Sequence, residues 1–274
     1  MTTALVISGG GDKGAFAVGA IEVLSQKGYH FDVISGTSTG ALIAPLLAID
    51  DIDELVKIYT TVKKRDIIRF NWFGFWYAWY NTKPLEKLIR RTMERRRFEK
   101  LTLSETDILL CSVGYQTGRV LYYSQRDRIP GTVAWKGFDE YVAATLASTN
   151  QPLIMPASML KGEQCYDGGV REIAPLKILQ GVEGLDKVVV IANSPADPDV
   201  QGVFYKSFLE IGPRSLDLMT TEILNDDLEE KLPGVEAIVI RPEEPLPSTG
   251  LEFVPEVMQS MRQTGIRLAH QVLG

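Results

Sequence analysis

With 274 residues, 45% of them hydrophobic and 23% charged, the chain is long enough to bury a sizeable α/β core and too apolar for a disordered protein. A formal net charge of −6 argues against nucleic acid as a partner, because no general excess of Lys and Arg is present to neutralise phosphates. The two cysteines, Cys111 and Cys165, lie outside any CxxC or Cys/His spacing, so neither a disulfide framework nor a metal site is expected.

In chain order, strand-like ALVIS (4–8) leads through Gly9-Gly10-Gly11 into a helix of about 13 residues that stops at Gly28. Phe16, Ala20, Val23 and Leu24 share one face of that helix. FDVIS (31–35) is a second short strand. It runs into Gly36-Thr37-Ser38-Thr39-Gly40 and then the helical ALIAPLLAI, which Pro45 should kink or shorten. This alternation predicts a parallel sheet with helices on its faces. Helical spacing recurs over 51–62 and 84–96, the latter with Pro84 in its first turn and Thr82 available as a cap. DILLCSVGY and RVLYYS flank Gln116-Thr117-Gly118 as a hairpin. KVVVIA (187–192) and EAIVIRP (236–242) are further strands, RPEEPLPSTG (241–250) is a loop, and Pro255 opens a closing helix to about Val272. The fold class is α/β, and one domain over 1–274 with a lid-like or helical insertion near 65–100 is the economical organisation. The opening apolar run is too short and uncharged for a signal peptide, and no segment approaches the roughly 18 apolar residues that span a bilayer. A cytoplasmic protein, with peripheral membrane contact open, is the expectation.

Gly9 to Gly14 satisfies G-x-G-x-x-G, the pyrophosphate loop of dinucleotide folds, with Asp32 18 positions after the last glycine. In those folds the acid that holds the ribose ends the second strand. Asp32 instead begins FDVIS, and belongs at the opposite sheet edge. What ends that strand is G-x-S-x-G (36–40), the pattern of a nucleophile elbow between strand and helix. Small neighbours let the chain turn sharply and lift the Ser38 hydroxyl to a helix N-terminus, whose dipole favours developing negative charge. Parallel strands then bring the glycine loop beside Ser38, with its N–H groups facing an oxyanion rather than a pyrophosphate. Taken alone, the glycine loop leaves a dinucleotide oxidoreductase open as the rival.

A serine nucleophile needs a base. His30 and His270 are the only histidines, one at the edge opposite Ser38 and the other on the closing helix, so a Ser-His-Asp triad is hard to build. A partly desolvated carboxylate can serve directly, since burial raises its proton affinity. Among 35 acids, Asp167 stands out in Cys165-Tyr166-Asp167-Gly168-Gly169-Val170. That stretch reads either as a surface turn or as a carboxylate with glycines allowing close backbone approach behind it.

Taken in order, GGGDKG (9–14), GTSTG (36–40) and DGG (167–169) resemble the patatin-like phospholipase family. Its members combine a glycine-rich oxyanion loop near the N-terminus, a GxSxG elbow, and a later DGG or DGA whose Asp completes a Ser-Asp dyad. Ala147 to Pro152 is similar to the family's Ala-Ser-x-x-x-Pro segment, and 173–179 to its Asn-x-Pro segment, with Ile173 and Ala174 replacing the usual polar residue. The resemblance covers roughly residues 4–180, while 181–274 match only in general α/β character. It implies a three-layer α/β/α sandwich with a mainly parallel sheet. It further implies Ser38 as nucleophile, Asp167 as general base and the amides of Gly9, Gly10 and Gly11 as oxyanion donors. Lys13, Gly14, Gly36, Gly40, Gly168 and Gly169 would support these motifs. The activity implied is hydrolysis of lipid acyl esters through an acyl-serine, without metal, cofactor or nucleotide. A non-catalytic lipid-binding scaffold of the same fold is the alternative.

Residues 70–80, FNWFGFWYAWY, hold eight aromatics, and residues 57–100 carry 13 Lys and Arg against four acids in a chain that is acidic elsewhere. Aromatics flanked by cations suit a membrane interface, with Phe70, Trp72, Phe73, Phe75, Trp76 and Trp79 as the contacting side chains. A mobile cap over an acyl cleft and packing of the rings into the core are the competing readings.

Overall fold

The apolar runs of the sequence form a sheet buried on both faces, because successive strand side chains point to opposite sides. The computed structural model describes residues 1–74, 76–198, 202 and 204–274. β1 (Thr2–Ile7) and β2 (Val33–Thr37) are parallel neighbours joined by α1 (Gly14–Gln26). α2 (Thr39–Leu47) follows, with Pro45 inside its last turn, and then α3 (Ile52–Thr61). Next come α4 (Lys64–Ile67), a short ladder of β3 (Arg69–Phe70) and β4 (Tyr80–Asn81), α5 (Lys83–Thr92) and α6 (Arg95–Leu103). The single helix expected over 84–96 is therefore two. Met93 leaves the helical region (φ −96°, ψ 55°) and buries its side chain in the core before the chain restarts at Arg95. Thr82 occupies the N-cap position of α5, but its side chain makes no capping bond.

β5 (Asp107–Gly114) and β6 (Val120–Ser124) form the expected hairpin, and β7 (Thr132–Ala134) lies parallel to β6. Then follow α7 (Phe138–Thr149), β8 (Ser158–Leu160), β9 (Glu163–Asp167), β10 (Leu185–Ile191), α8 (Phe208–Leu228), β11 (Glu236–Ile240) and α9 (Pro255–Leu273). Sheet order is β11-β10-β1-β2-β5-β6-β7, parallel from β11 through β5. Leu5, Ile7, Ile34, Leu110, Val189 and Ile191 pack on a helical layer that contains α1, α2, α7 and α9. Ala4, Val6, Val33, Leu109, Val188 and Val190 face the opposite layer, which includes the 3-10 turn Lys177–Gly181 and Leu224 of α8. Cys111 and Cys165 are both buried and free.

One detail of register positions the site. β6 occupies one edge of β5 along Leu110–Val113. On the other edge β2 pairs as far as Cys111 (Thr37↔Cys111), and β9 takes over at the next residue (Asp167↔Ser112), running the opposite way. The C-terminal ends of β2 and β9 therefore meet head to head, which sets residue 38 beside residue 167. Among the described residues no helix is long and apolar enough to cross a membrane.

Candidate active site

Ser38 forms the turn between β2 and α2 with φ 56° and ψ −116°, a conformation that L-residues avoid unless the surroundings impose it. Those surroundings are specific. A Cβ on Gly40 would strike the Ile7 carbonyl, and one on Gly36 would strike the Gly40 backbone, so the flanking glycines permit the close crossing of β1, β2 and α2. The Ser38 N–H donates to the Ser148 hydroxyl at 3.1 Å, in a buried contact, which ties the elbow to the C-terminal turn of α7.

Asp167 ends β9 and is buried. Its carboxylate accepts from the Gly169 N–H at 2.8 Å, and the β2 and β9 registers set it beside Ser38. Its own N–H donates to the Asn150 carbonyl at 3.0 Å. Desolvation by burial pushes the Asp167 carboxyl up to about 6, against the opposing pull of the Gly169 N–H and the nearby Ser38 side chain. Gly168 lies against Cys111, where a side chain has no room. His30 and His270 are both exposed. Asp32 accepts the Thr3 N–H at 2.7 Å, at the start of β1, and so sits at the sheet edge away from Ser38.

The glycine loop departs from expectation at one residue. The Gly9 N–H donates to the Ile173 carbonyl at 3.0 Å, so it is already committed and does not point to an open site. Gly9 nonetheless faces Ser38, since a Cβ there would stand 3.4 Å from the serine Cβ. The N–H groups of Gly10, Gly11 and Thr39, the last being the first residue of α2, donate to no group among the described residues. Lys13 closes the turn by donating its N–H to the Gly10 carbonyl at 3.1 Å, and Gly14 packs against Thr39 and Tyr59.

Several supporting residues were not visible as such in the sequence. Asp12, wholly buried, accepts from the Ser248 hydroxyl at 2.6 Å and the Phe253 N–H at 2.7 Å, while its own N–H donates to the Gly250 carbonyl at 3.0 Å. The loop read over 241–250 is thus a strap across the glycine turn. Asn193, just after β10, donates its side-chain amide to the Ser8 carbonyl at 2.8 Å. Asp227 of α8 accepts the N–H groups of Ile173 and Ala174 at 2.6 and 2.8 Å, fixing the segment that takes up Gly9. The acid inside GGGDKG was legible as a position, but its partners lie more than 230 residues away.

From Gly11, Ser38 and Thr39 an apolar pocket extends between helices, walled by Leu42 and Leu46 of α2, Leu55 and Ile58 of α3, and Leu85 and Ile89 of α5. These are i,i+3 and i,i+4 pairs, each presenting one helix face to the same space. The Tyr59 hydroxyl is hydrogen-bonded to the Thr39 side chain in that wall, and burial raises the phenol far above its ordinary range.

Most of the described residues of the aromatic stretch lie outside the core, Tyr80 packing against it. Trp72, Phe73 and Trp76 are 77%, 103% and 88% exposed, Phe70 and Trp79 are also exposed, and among the described residues of the loop only Ala78 is buried. Phe75 lies outside the described residues.

The chain matches the family model for patatin-like phospholipases over residues 5–179. It is similar to triacylglycerol lipase 5 of Saccharomyces cerevisiae, at 23% identity over 190 residues, which is 62% of this chain and 24% of that protein. It is also similar to lysophospholipase NTE1 of Kluyveromyces lactis, at 43% identity over 60 residues, 22% of this chain and 4% of that protein. An uncharacterized protein of Bacillus subtilis, YqhO, is 54% identical over 43 residues, 16% of this chain and 15% of that protein. The matched region thus spans no more than about a quarter of the length of these relatives. In fold, the chain is similar to VipD from Legionella pneumophila, with a TM-score of 0.51 and 14% identity over 99% of this chain and 67% of the other.

Proposed function

The chain belongs to the patatin-like phospholipase family, and from that premise we propose that it is a serine lipid acyl hydrolase in which Ser38 is the nucleophile and Asp167 the general base. The observation that carries this reading is the juxtaposition, at the facing ends of β2 and β9, of Ser38 and a buried carboxylate whose proton affinity is raised. Asp167 takes the Ser38 proton as the hydroxyl oxygen attacks the ester carbonyl. The oxyanion is received by the free N–H groups of Gly10, Gly11 and Thr39; losing one such donor costs about 3 kcal/mol of transition-state stabilisation. Collapse of the tetrahedral adduct breaks the bond to the alcohol, which leaves with the proton from Asp167, and an acyl-serine remains. Water, deprotonated by the same carboxylate, then releases the fatty acid and restores the serine. The apolar pocket beyond Ser38 suits the acyl chain, and the exposed Phe70, Trp72, Phe73, Trp76 and Trp79 suit contact with a lipid surface.

A serine-reactive fluorophosphonate is expected to label wild type and not Ser38→Ala. Hydrolysis of lipid esters should fall by roughly 10³-fold or more in both Ser38→Ala and Asp167→Asn. Labelling at another residue, or full turnover by Ser38→Ala, would refute the assignment. An unlabelled wild type that still binds lipid would favour the non-catalytic scaffold. Running phospholipid, galactolipid, neutral-lipid and short-chain esters side by side identifies the substrate class.

A further inference from the structure

Nine of the 13 Lys and Arg of residues 57–100 fall into two groups. Lys57, Arg90, Arg95 and Arg97 each hold a carboxylate: Glu54, Glu86 with Asp139, Glu99, and Asp51 with Glu54. Arg65, Arg69, Lys83, Lys87 and Arg91 pair with no carboxylate among the described residues, yet all five line one open cleft of about 400 Å³ between α4, the β3–β4 ladder and α5. Among the described residues Asp66 is the only acid in its wall, and that carboxylate already accepts the Lys63 N–H at 3.0 Å. Five like charges around one space repel each other, and an anion entering the cleft relieves the repulsion.

Two neighbouring features indicate where that anion resides. Leu88 contributes to the wall of both this cleft and the apolar pocket that starts at Ser38, so the two spaces adjoin. The ladder that places Arg69 and Asn81 in the cleft also carries the loop 71–79, where Trp72, Phe73 and Trp76 stand exposed. A small anion in solution has no use for exposed indole and phenyl rings. A bilayer meets both cations and rings at headgroup depth. We propose that this cleft docks the chain on an anionic membrane, holding the phosphate groups of anionic phospholipids while the aromatic loop enters the headgroup layer. Delivery of bilayer lipid to Ser38 rests on the hydrolase reading above; the docking itself does not.

Sedimentation with sucrose-loaded vesicles tests this, using the Ser38→Ala chain so that lipid is not consumed. Binding is expected to be much stronger to phosphatidylcholine vesicles containing phosphatidylglycerol than to phosphatidylcholine alone, and to weaken as salt is raised. A Lys or Arg near an anionic surface is worth about five-fold in partitioning, so Lys87→Gln with Arg91→Gln should weaken binding roughly 30-fold. Arg65→Gln with Arg69→Gln, on different elements, should give a similar loss, which separates docking from a local disturbance of α5. The charge-matched pair Arg128→Gln with Lys161→Gln, exposed outside this region, should bind like the parent. Equal binding to the two vesicle types, or equal losses from the cleft pairs and the outside pair, would overturn the proposal. Ester hydrolysis by wild type is measured separately on a soluble short-chain ester. Its absence with vesicle binding intact would refute the hydrolase and leave docking standing, and active enzyme with no preference for anionic vesicles would do the reverse.

Discussion

At the scale of single residues, Ser38 and Asp167 are each held in a state that is unfavourable in isolation. The serine has a positive φ, and the carboxylate is buried with burial, one N–H and Ser38 itself as the influences on its proton affinity, no cation contributing. A cation beside Asp167 would hold it ionised but make it a poor base; burial without one does the opposite. In the proposed mechanism Asp167 must be ionised to accept the Ser38 proton, so kcat/KM for a soluble ester is expected to rise with pH through about 6 and level off above it. A profile that is flat from pH 5 to pH 8 would contradict Asp167 as the base. Gly9 shows the limit of reasoning by motif. Its position in the loop matches an oxyanion donor, but the Ile173 carbonyl has taken its hydrogen.

At the scale of elements, α5 performs two tasks because its two faces differ. Leu85 and Ile89 wall the apolar pocket, while Lys87 and Arg91 line the basic cleft. Its helical spacing and Pro84 start were legible, but the end was not: helix propensity continues into the Arg run, and the break comes from burial of Met93. α7 and α8 were not legible either. α7 is buried around most of its circumference and therefore lacks a polar stripe, and α8 carries Gly212-Pro213 inside it, a pair that reads as a loop. The pocket between α2, α3 and α5 yields a test of its own. Ile58 is a half-buried wall residue, so Ile58→Trp should narrow the pocket without removing core volume. Turnover of long-chain esters is expected to fall roughly ten-fold or more relative to a butyrate ester, read as the ratio of kcat/KM values. An unchanged ratio would place the acyl chain elsewhere.

At the scale of the whole molecule, three carboxyls around the β9 turn are shifted the same way. Burial raises Asp167 to about 6 and Asp227 to about 7, and also raises Glu172. Each therefore binds its proton more tightly in the folded chain than in the unfolded one. The penalty for charging them is fully present above their folded values and fades as pH falls through about 7 and 6 towards the ordinary carboxylate range. The protein should accordingly be more stable at pH 6 than at pH 8, by about 1 kcal/mol because Asp227 is partly solvated, which corresponds to a few degrees in Tm. Calorimetry showing a higher Tm at pH 8 would mean that other groups dominate the linkage.

Local chemistry was enough to determine the βαβα start, the sharp turn at Ser38, the hairpin around Thr117, the closing helix from Pro255 and the three ordered motifs of the family. Strand periodicity, small flanking residues and proline at a helix start act within a few residues, so they are written in adjacent letters. Tertiary structure alone decided how residue 38 comes to meet residue 167, head to head at the ends of β2 and β9, that Asp12 is strapped down by Ser248 and Phe253, that Gly9 is bonded to Ile173, and that Trp72, Phe73 and Trp76 are exposed. Each of these depends on which strand edge or helix face comes to lie alongside a partner far away in the chain. That choice is made by burying the two faces of the sheet together, and no short stretch of sequence contains it.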